Sequence, residues 1–393
     1  MTADGWKSCK LGDVVTLQRG FDLPRKNRKE GNVPIVSSSG VSGYHDTVKV
    51  NGPGVVTGRY GTLGEVFYIE KDFWPLNTTL YVRDFKGNDS RFLSYFLQTL
   101  DLAHHNAAGA VPGLNRNALH LLPVEVPPHA AQHKIASVLS AYDDLIENNT
   151  RRIKILEEIA QTIYREWFVN FRFPGHEKVK MVDSELGPIP EGWKVDKLSS
   201  LVTTQYGYTE SASEDQVGPK YVRGMDINKR SYIYWDNVPY CPISDIDYSK
   251  YRLSLGDVLV IRMADPGKVG IVEKDIEAVF ASYLIRLHIA SDSISPYFLF
   301  YFLLSDRYQD YVTGASTGTT RKSASAKLIT DIDIVIPTTE IREQFEEQIA
   351  VLRRMLNNLL DRNTNLRRTR DLLLPKLVSG EVSVEDVSEK VLR

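Results

Sequence analysis

Apolar and polar residues follow two different rhythms along this chain, and the rhythms change over in the same order in each half. Short runs at 55–57, 65–69, 79–82, 257–261, 269–272 and 332–336 are rich in β-branched and aromatic residues and are punctuated by Gly, Pro and Asn. Such runs predict short strands in mixed α/β globules. Segments 91–102 and 295–311 carry apolar residues at helical spacing, and each runs into a small, Gly-containing loop, 107–115 and 314–320.

Two longer patterns follow. Ile135, Leu139, Tyr142, Ile146, Asn149, Ile153, Leu156, Ala160, Ile163 and Trp167 are spaced alternately by fours and threes, and Ile349, Leu352, Leu356, Leu359, Asn363, Leu366, Arg370, Leu373 and Leu377 make a second such seam. Unbroken seams of this length predict two long helices that pair as a coiled coil rather than each packing on its own globule. In an antiparallel pair Ile146, Asn149 and Ile153 meet Leu359, Asn363 and Leu366. A seam Asn costs stability but fixes register, and two of them meeting near a pseudo-twofold axis satisfy each other's amides.

The two halves are copies. Gly5, Trp6, Lys7, Lys10, Leu11, Val15, Thr16, Gln18 and Gly20 match Gly192, Trp193, Lys194, Lys197, Leu198, Val202, Thr203, Gln205 and Gly207. Further on, Gly64 matches Gly270, Phe92, Leu93, Tyr95, Phe96 and Leu97 match Phe298, Leu299, Tyr301, Phe302 and Leu303, and Ile135, Ala136, Leu145, Asn149 and Thr150 match Ile349, Ala350, Leu359, Asn363 and Thr364. The order never changes, although the offset grows, so the second copy carries extra residues in its early loops. A unit this long indicates domain duplication, not a solenoid.

Composition narrows the function. With 42% hydrophobic and 25% charged residues the chain reads as globular, and its 393 residues call for more than one core. It has no apolar run long enough to span a bilayer and no secretory pattern at the start, and with only 2 Cys it has no disulfide framework. These features suit a cytoplasmic protein away from membranes. The formal net charge of -2 gives no general affinity for polyanions, so any nucleic-acid surface must be local. Catalytic signatures do not appear. Gly267-Lys268 is followed by Val269 where a phosphate loop needs a hydroxyl, Gly58, Gly61 and Gly64 are misspaced for a dinucleotide fingerprint, and Asp265-Pro266 leads to Gly267 where a base-methylating loop needs an aromatic. His104 and His105 are adjacent and diverge, so no metal-ligand spacing is present.

Four stretches resemble those of Type I restriction-modification specificity subunits: Leu186-Gly187-Pro188-Ile189-Pro190-Glu191-Gly192-Trp193 leading into Leu198, Trp167-Phe168 to Phe173-Pro174-Gly175, the Glu343-Gln344 opening the second helix, and Lys376-Leu377-Val378-Ser379-Gly380-Glu381-Val382. Ala131-Gln132 stands against Glu343-Gln344, two residues out of step with the Ile135/Ile349 match. The resemblance implies a duplicated α/β (α+β) fold in which two mixed α/β target recognition domains, 1–130 and 193–339, are each followed by a long helix, 131–173 and 340–379, the helices pairing as an antiparallel coiled coil. Residues 174–192 then form a linker and 380–393 a polar tail. It also implies a non-catalytic subunit that reads a bipartite, asymmetric target in double-stranded DNA and positions two methyltransferase subunits and the restriction (motor/nuclease) subunits. S-adenosylmethionine and ATP with magnesium belong to those partners, with no cofactor in this chain. A helix of about 37 residues measures roughly 55 Å, against roughly 34 to 36 Å per DNA turn, a natural spacer between half-sites.

Three patches are candidate DNA contacts. Arg19, Arg25, Lys26, Arg28 and Lys29 form a basic, turn-rich segment suited to phosphates or a guanine edge. Arg59-Tyr60, between glycines, and its counterpart Arg262 place a guanidinium fork on a turn beside a strand, where the alternative is a buried ion pair. The equivalent pair of loops holding Asn115-Arg116 and Thr319-Thr320-Arg321-Lys322 is small enough to approach a backbone closely. A two-headed adaptor for protein or glycan partners and a self-contained methylase are the competing functions, the first with no salt-sensitive DNA affinity and the second with cofactor binding by the isolated chain.

Overall fold

A computed structural model describes residues 5–105, 113–315 and 323–385. The chain gathers into two compact units: Met1–Asn148 with Asn365–Arg393, and Asn149–Thr364. Each therefore holds one globule and a stretch of both long helices.

In the first unit a four-stranded antiparallel sheet runs in the order Thr16–Arg19, Thr79–Asp84, Gly54–Gly58, Val66–Ile69. Helix Ser90–Thr99 contributes Phe92, Leu93, Phe96 and Leu97 to its core, and starts where the Asp89 side chain accepts the Phe92 N–H at 2.7 Å. Val33–Ser37 pairs antiparallel with Gly40–His45 and parallel with Trp74–Pro75, and Lys7–Lys10 pairs with Pro123–Val126.

The second unit repeats this frame. Its sheet runs Val202–Tyr206, Leu284–Ile289, Val258–Ile261, Val269–Ile271; Lys220–Val222 lies parallel to Ala278–Phe280, and Lys194–Lys197 pairs with Asp333–Ile336. The additional residues fall where the first unit has its Gly40–His45 strand. There the second has helical turns Gly224–Ile227, Trp235–Asn237 and Asp245–Tyr251.

Segment 295–311 is two helices, not one: Pro296–Leu304 and Asp306–Ala315 are separated by Ser305, whose ψ of 151° breaks the helical path. Its counterpart stops at Thr99, ahead of Asp101 at φ 44° and a 3-10 turn, Leu102–His105. The Pro/Gly-rich stretch 174–192 folds onto the second unit: Met181–Val182 pairs with Ile189–Pro190, Ile189 is buried, and Trp193 packs on Phe168, Phe171 and Phe173.

The long helices are His129–Tyr164, continued by a π turn Arg165–Val169, and Thr339–Ser379. Within the second unit they lie antiparallel: Asn149 donates its amide N–H to the Asn363 carbonyl oxygen at 2.9 Å, while Tyr164 and Trp167 lie 6.0 Å from the Phe345 ring. Ile153 closes a cluster with Leu356, Leu359 and Leu360 between them. In the first unit Asp143 pairs with Arg370, and Ile135 and Leu139 share a core with Leu374, Leu377 and Val378. Arg370, a charge on an apolar seam, is explained by that carboxylate. Ile146, buried, and Leu366, half-buried, lie on the helix stretches of this unit.

The alignment of Gln132 with Gln344 needs correction. Gln132 is buried and binds the start of helix Ser90–Thr99, accepting the Asp89 N–H at 3.0 Å. In the second unit that position belongs to Glu346, which accepts from the Ser295 hydroxyl at 2.6 Å and the Tyr297 N–H at 3.2 Å. Gln132 and Glu346 each stand three residues before the matched Ile135 and Ile349, so the frame has no slip. The two glutamines share a letter but not a place.

Candidate nucleic-acid interface

Three adjacent strands bring the first unit's candidates to one end of its sheet. Arg19 closes its strand opposite Leu80, and Gly58, opposite Thr79, leads into Arg59. Turning there, the Arg59 and Tyr60 N–H groups both donate to the Thr78 carbonyl, at 2.8 and 3.1 Å. The Arg59 guanidinium lies 4.4 Å from the Tyr60 ring centre and donates to its hydroxyl at 3.2 Å. A cation on an aromatic face gains about 0.5–1 kcal/mol at an exposed site and holds the fork flat. The Leu114 N–H donates to the Arg59 carbonyl at 3.0 Å, and this bond draws Asn115-Arg116 to the same place. Gly113 permits it, because a Cβ there would sit 2.3 Å from the Tyr60 ring. Asn115 uses its side chain to cap helix Arg116–His120, accepting the Asn117 N–H at 2.9 Å, and Arg116 beside it is exposed.

The basic segment divides. Arg19 is exposed, 3.7 Å from Asp22, and Arg25 and Lys26 are exposed on a 3-10 turn. Arg28 turns inward, its Nε buried without a hydrogen-bond partner, and the Lys29 backbone N–H donates to His45 Nδ1 at 3.1 Å.

The second unit builds the same end with other side chains. The Arg262 N–H donates to the Tyr283 carbonyl at 2.9 Å, and its own carbonyl accepts the Ala324 N–H at 2.8 Å, the two bonds that Arg59 makes. Its guanidinium lies 4.9 Å from the ring of Tyr206, whose hydroxyl accepts the Ala326 N–H at 3.1 Å. Neither Arg59 nor Arg262 forms an ion pair with a described carboxylate; both lie on tyrosines. Ser325 caps helix Ala326–Thr330 as Asn115 caps its own, so Ser325 is the structural counterpart of Asn115. Thr319, Thr320, Arg321 and Lys322 lie outside the described residues.

Tyr206 and Tyr283 were not among the sequence candidates. Tyr206 occupies Arg19's place, between the matched Gln205 and Gly207, and Tyr283 occupies that of Thr78; they are 44% and 58% exposed. The signal was present for Tyr206: one unlike residue inside an identical frame. Tyr283 lies in a stretch with no local identity to flag it. Among the described residues no carboxylate, His or Cys cluster could hold a metal, and no helix is long and apolar enough to cross a membrane.

Comparison with known proteins gives a consistent result. The Type I restriction modification DNA specificity domain matches the chain twice, over residues 3–158 and 190–365. The Type I restriction enzyme MjaIX specificity subunit of Methanocaldococcus jannaschii is 27% identical over 333 residues, covering 80% of this chain and 74% of its own length. The MjaVIII specificity subunit of the same organism is 23% identical over 410 residues, covering 98% and 95%. The crystal structure of the Type-I restriction-modification system S subunit from M. genitalium shares the fold, with a TM-score of 0.61 at 16% identity over 96% of this chain and 99% of that one. With both of its globules matched, the chain belongs to the Type I restriction-modification DNA specificity family.

Proposed function

We propose that this chain is the DNA sequence-specificity subunit of a Type I restriction-modification complex, reading a bipartite, asymmetric target with one globule per half-site. One observation carries this reading. Two equivalent sheet ends each present an arginine stacked on a tyrosine beside a capped loop, on the same backbone bonds, with different side chains around them. A shared frame with unlike edges is what two different half-sites require, because base identity is read by side-chain pattern while backbone contacts set register. Residues 1–130 and 193–339 are the readers, and the long helices over 131–173 and 340–379 serve as spacer.

Methyl transfer and cleavage then belong to partner methyltransferase and restriction subunits, with S-adenosylmethionine and ATP/magnesium on those partners and this chain contributing recognition without catalysis, in the cytoplasm. The test is base-resolution methylation mapping in a host carrying the complex, before and after residues 1–130 are exchanged for those of a relative. One half of the methylated sequence changes and the other stays. A change in both halves together overturns the modular reading.

A further inference from the structure

Outside the sheet end, the second unit has a groove of about 420 Å³ where the first long helix faces the 227–231 loop and the Lys268 end of the hairpin that carries Arg262. Four cations line it: Lys154 from the helix, Lys229 and Arg230 from the loop, Lys268 from the hairpin. Its two acids are engaged. Glu157 accepts the Ser231 hydroxyl and, at 3.4 Å, the Ser231 N–H, and Glu158 lies 3.8 Å from Lys154. Lys229 and Arg230 are exposed and form no ion pair with a described residue.

This concavity is held rigid from beneath. Arg353 is 1% exposed and donates to the Ser231 hydroxyl at 2.9 Å and the Ser231 carbonyl at 2.8 Å while its guanidinium pairs with Glu273. Lys268 Nζ donates to Gln309 at 3.3 Å. Cations displayed on a fixed frame lose little entropy when they bind. The groove is also in register with the reading edge: the Ile261 N–H donates to the Lys268 carbonyl at 2.8 Å, so Lys268 and Arg262 stand on the two sides of one tight turn.

We propose that this groove binds the sugar-phosphate backbone of the DNA duplex next to the half-site read by the second globule. The proposal rests on the DNA reading above and extends it to residues that carry no sequence information. Lys229 and Arg230 belong to the segment that replaces the first globule's Gly40–His45 strand, so this clamp is one-sided. It supplies local positive charge to a chain whose net charge is -2.

The experiment measures binding of a mixed-sequence duplex to the full chain, alone and co-purified with its methyltransferase subunits, as a function of salt. Each cation that releases a phosphate counterion contributes about 0.9 to the slope of log affinity against log salt. Lys229→Ala/Arg230→Ala/Lys268→Ala should lower that slope by about 2–3 and low-salt affinity by about tenfold or more, with the methylated sequence unchanged. Lys229→Arg/Lys268→Arg should keep the slope. All three side chains are exposed, so an unchanged melting temperature excludes misfolding. A triple variant with the original slope overturns the groove and leaves the DNA reading standing, whereas a parent chain without salt-sensitive duplex binding overturns both. An altered methylated sequence in the triple variant overturns the backbone assignment.

Discussion

Leu139 and Arg353 hold the same place in the two long helices, four residues after the matched Ile135 and Ile349, and they are 0% and 1% exposed. Leu139 joins an apolar core with Leu93, Phe96 and Leu377. Arg353 instead pairs with Glu273, itself bonded by the Tyr297 hydroxyl at 3.1 Å, and grips the loop at Ser231. Apolar packing stabilises by area and tolerates small sliding, whereas a bidentate buried ion pair gains little net stability but accepts one geometry. At this position the first globule is seated on its helix by packing and the second by directional bonds. The difference extends outward: the locked loop is the one that lines the cationic groove.

The largest expected effect tests that lock. Arg353→Met leaves Glu273 buried without its cation, at a cost of about 3–5 kcal/mol to the second unit. Arg353→Met with Glu273→Leu should recover most of this, as read by urea unfolding and by hydrogen exchange resolved onto each unit. A single variant as stable as the parent would mean that the ion pair holds nothing. The equivalent test in the first unit, Leu139→Met, should cost less than about 1.5 kcal/mol.

Next come the seam asparagines, 8% and 2% exposed and bonded to each other, with Asn363 also donating to Thr150 at 3.3 Å. Either Asn→Leu should cost about 1–3 kcal/mol by stranding its partner's amide, and the double replacement should return stability while loosening register. Additive losses in a thermal double-mutant cycle would show that the pair is not coupled.

Matched tyrosines give a smaller contrast. The Tyr95 hydroxyl donates to the Asp143 carboxylate, which Arg370 also engages, and burial together with that carboxylate pushes its pKa well up. The Tyr301 hydroxyl is buried without a hydrogen bond; the Arg353 guanidinium attracts it without alignment, and burial pushes its pKa up to about 12. Tyr95→Phe should cost about 1.5–3 kcal/mol and Tyr301→Phe should stay within about 1 kcal/mol of the parent. Equal losses in calorimetry would erase this distinction between the units.

Acid sharpens the comparison least in size but most in sign. His120 accepts the Leu17 N–H on Nε2 at 2.9 Å, and burial, then the Arg116 charge, hold its pKa below the usual 6.5. The unfolded chain takes up that proton first, so the first unit loses stability as pH falls through 6.5, until the folded pKa is passed. Glu346 is shifted the other way: burial raises its carboxyl above the usual 4.5 despite bonds from Ser295, Tyr297 and Phe298. The folded state then takes up the proton first, and the second unit gains from this group as pH falls through the raised value toward 4.5. Hydrogen exchange followed from pH 7 to pH 5 should show protection falling faster in the first unit, and His120→Gln should remove most of the difference.

The frame of this protein was legible because it rests on short-range regularities that duplication prints twice. Alternating runs placed the strands at 54–58 and 258–261, and the unbroken seams placed both long helices and put Asn149 and Asn363, which bond to each other, on their apolar faces, since helical spacing fixes which residues share a face. Tertiary structure decided what spacing does not encode. Ser305 divides a segment that carries apolar residues at helical spacing on both sides of it, Glu346 rather than Gln344 takes the role of Gln132, and Ser325 takes that of Asn115. Arg59 meets Asn115-Arg116 through the backbone bond from Leu114, and Arg262 meets Tyr206 by laying its guanidinium on the ring, each between segments dozens of residues apart. Those meetings depend on strand order and turn geometry in three dimensions, and no local pattern of residues contains either.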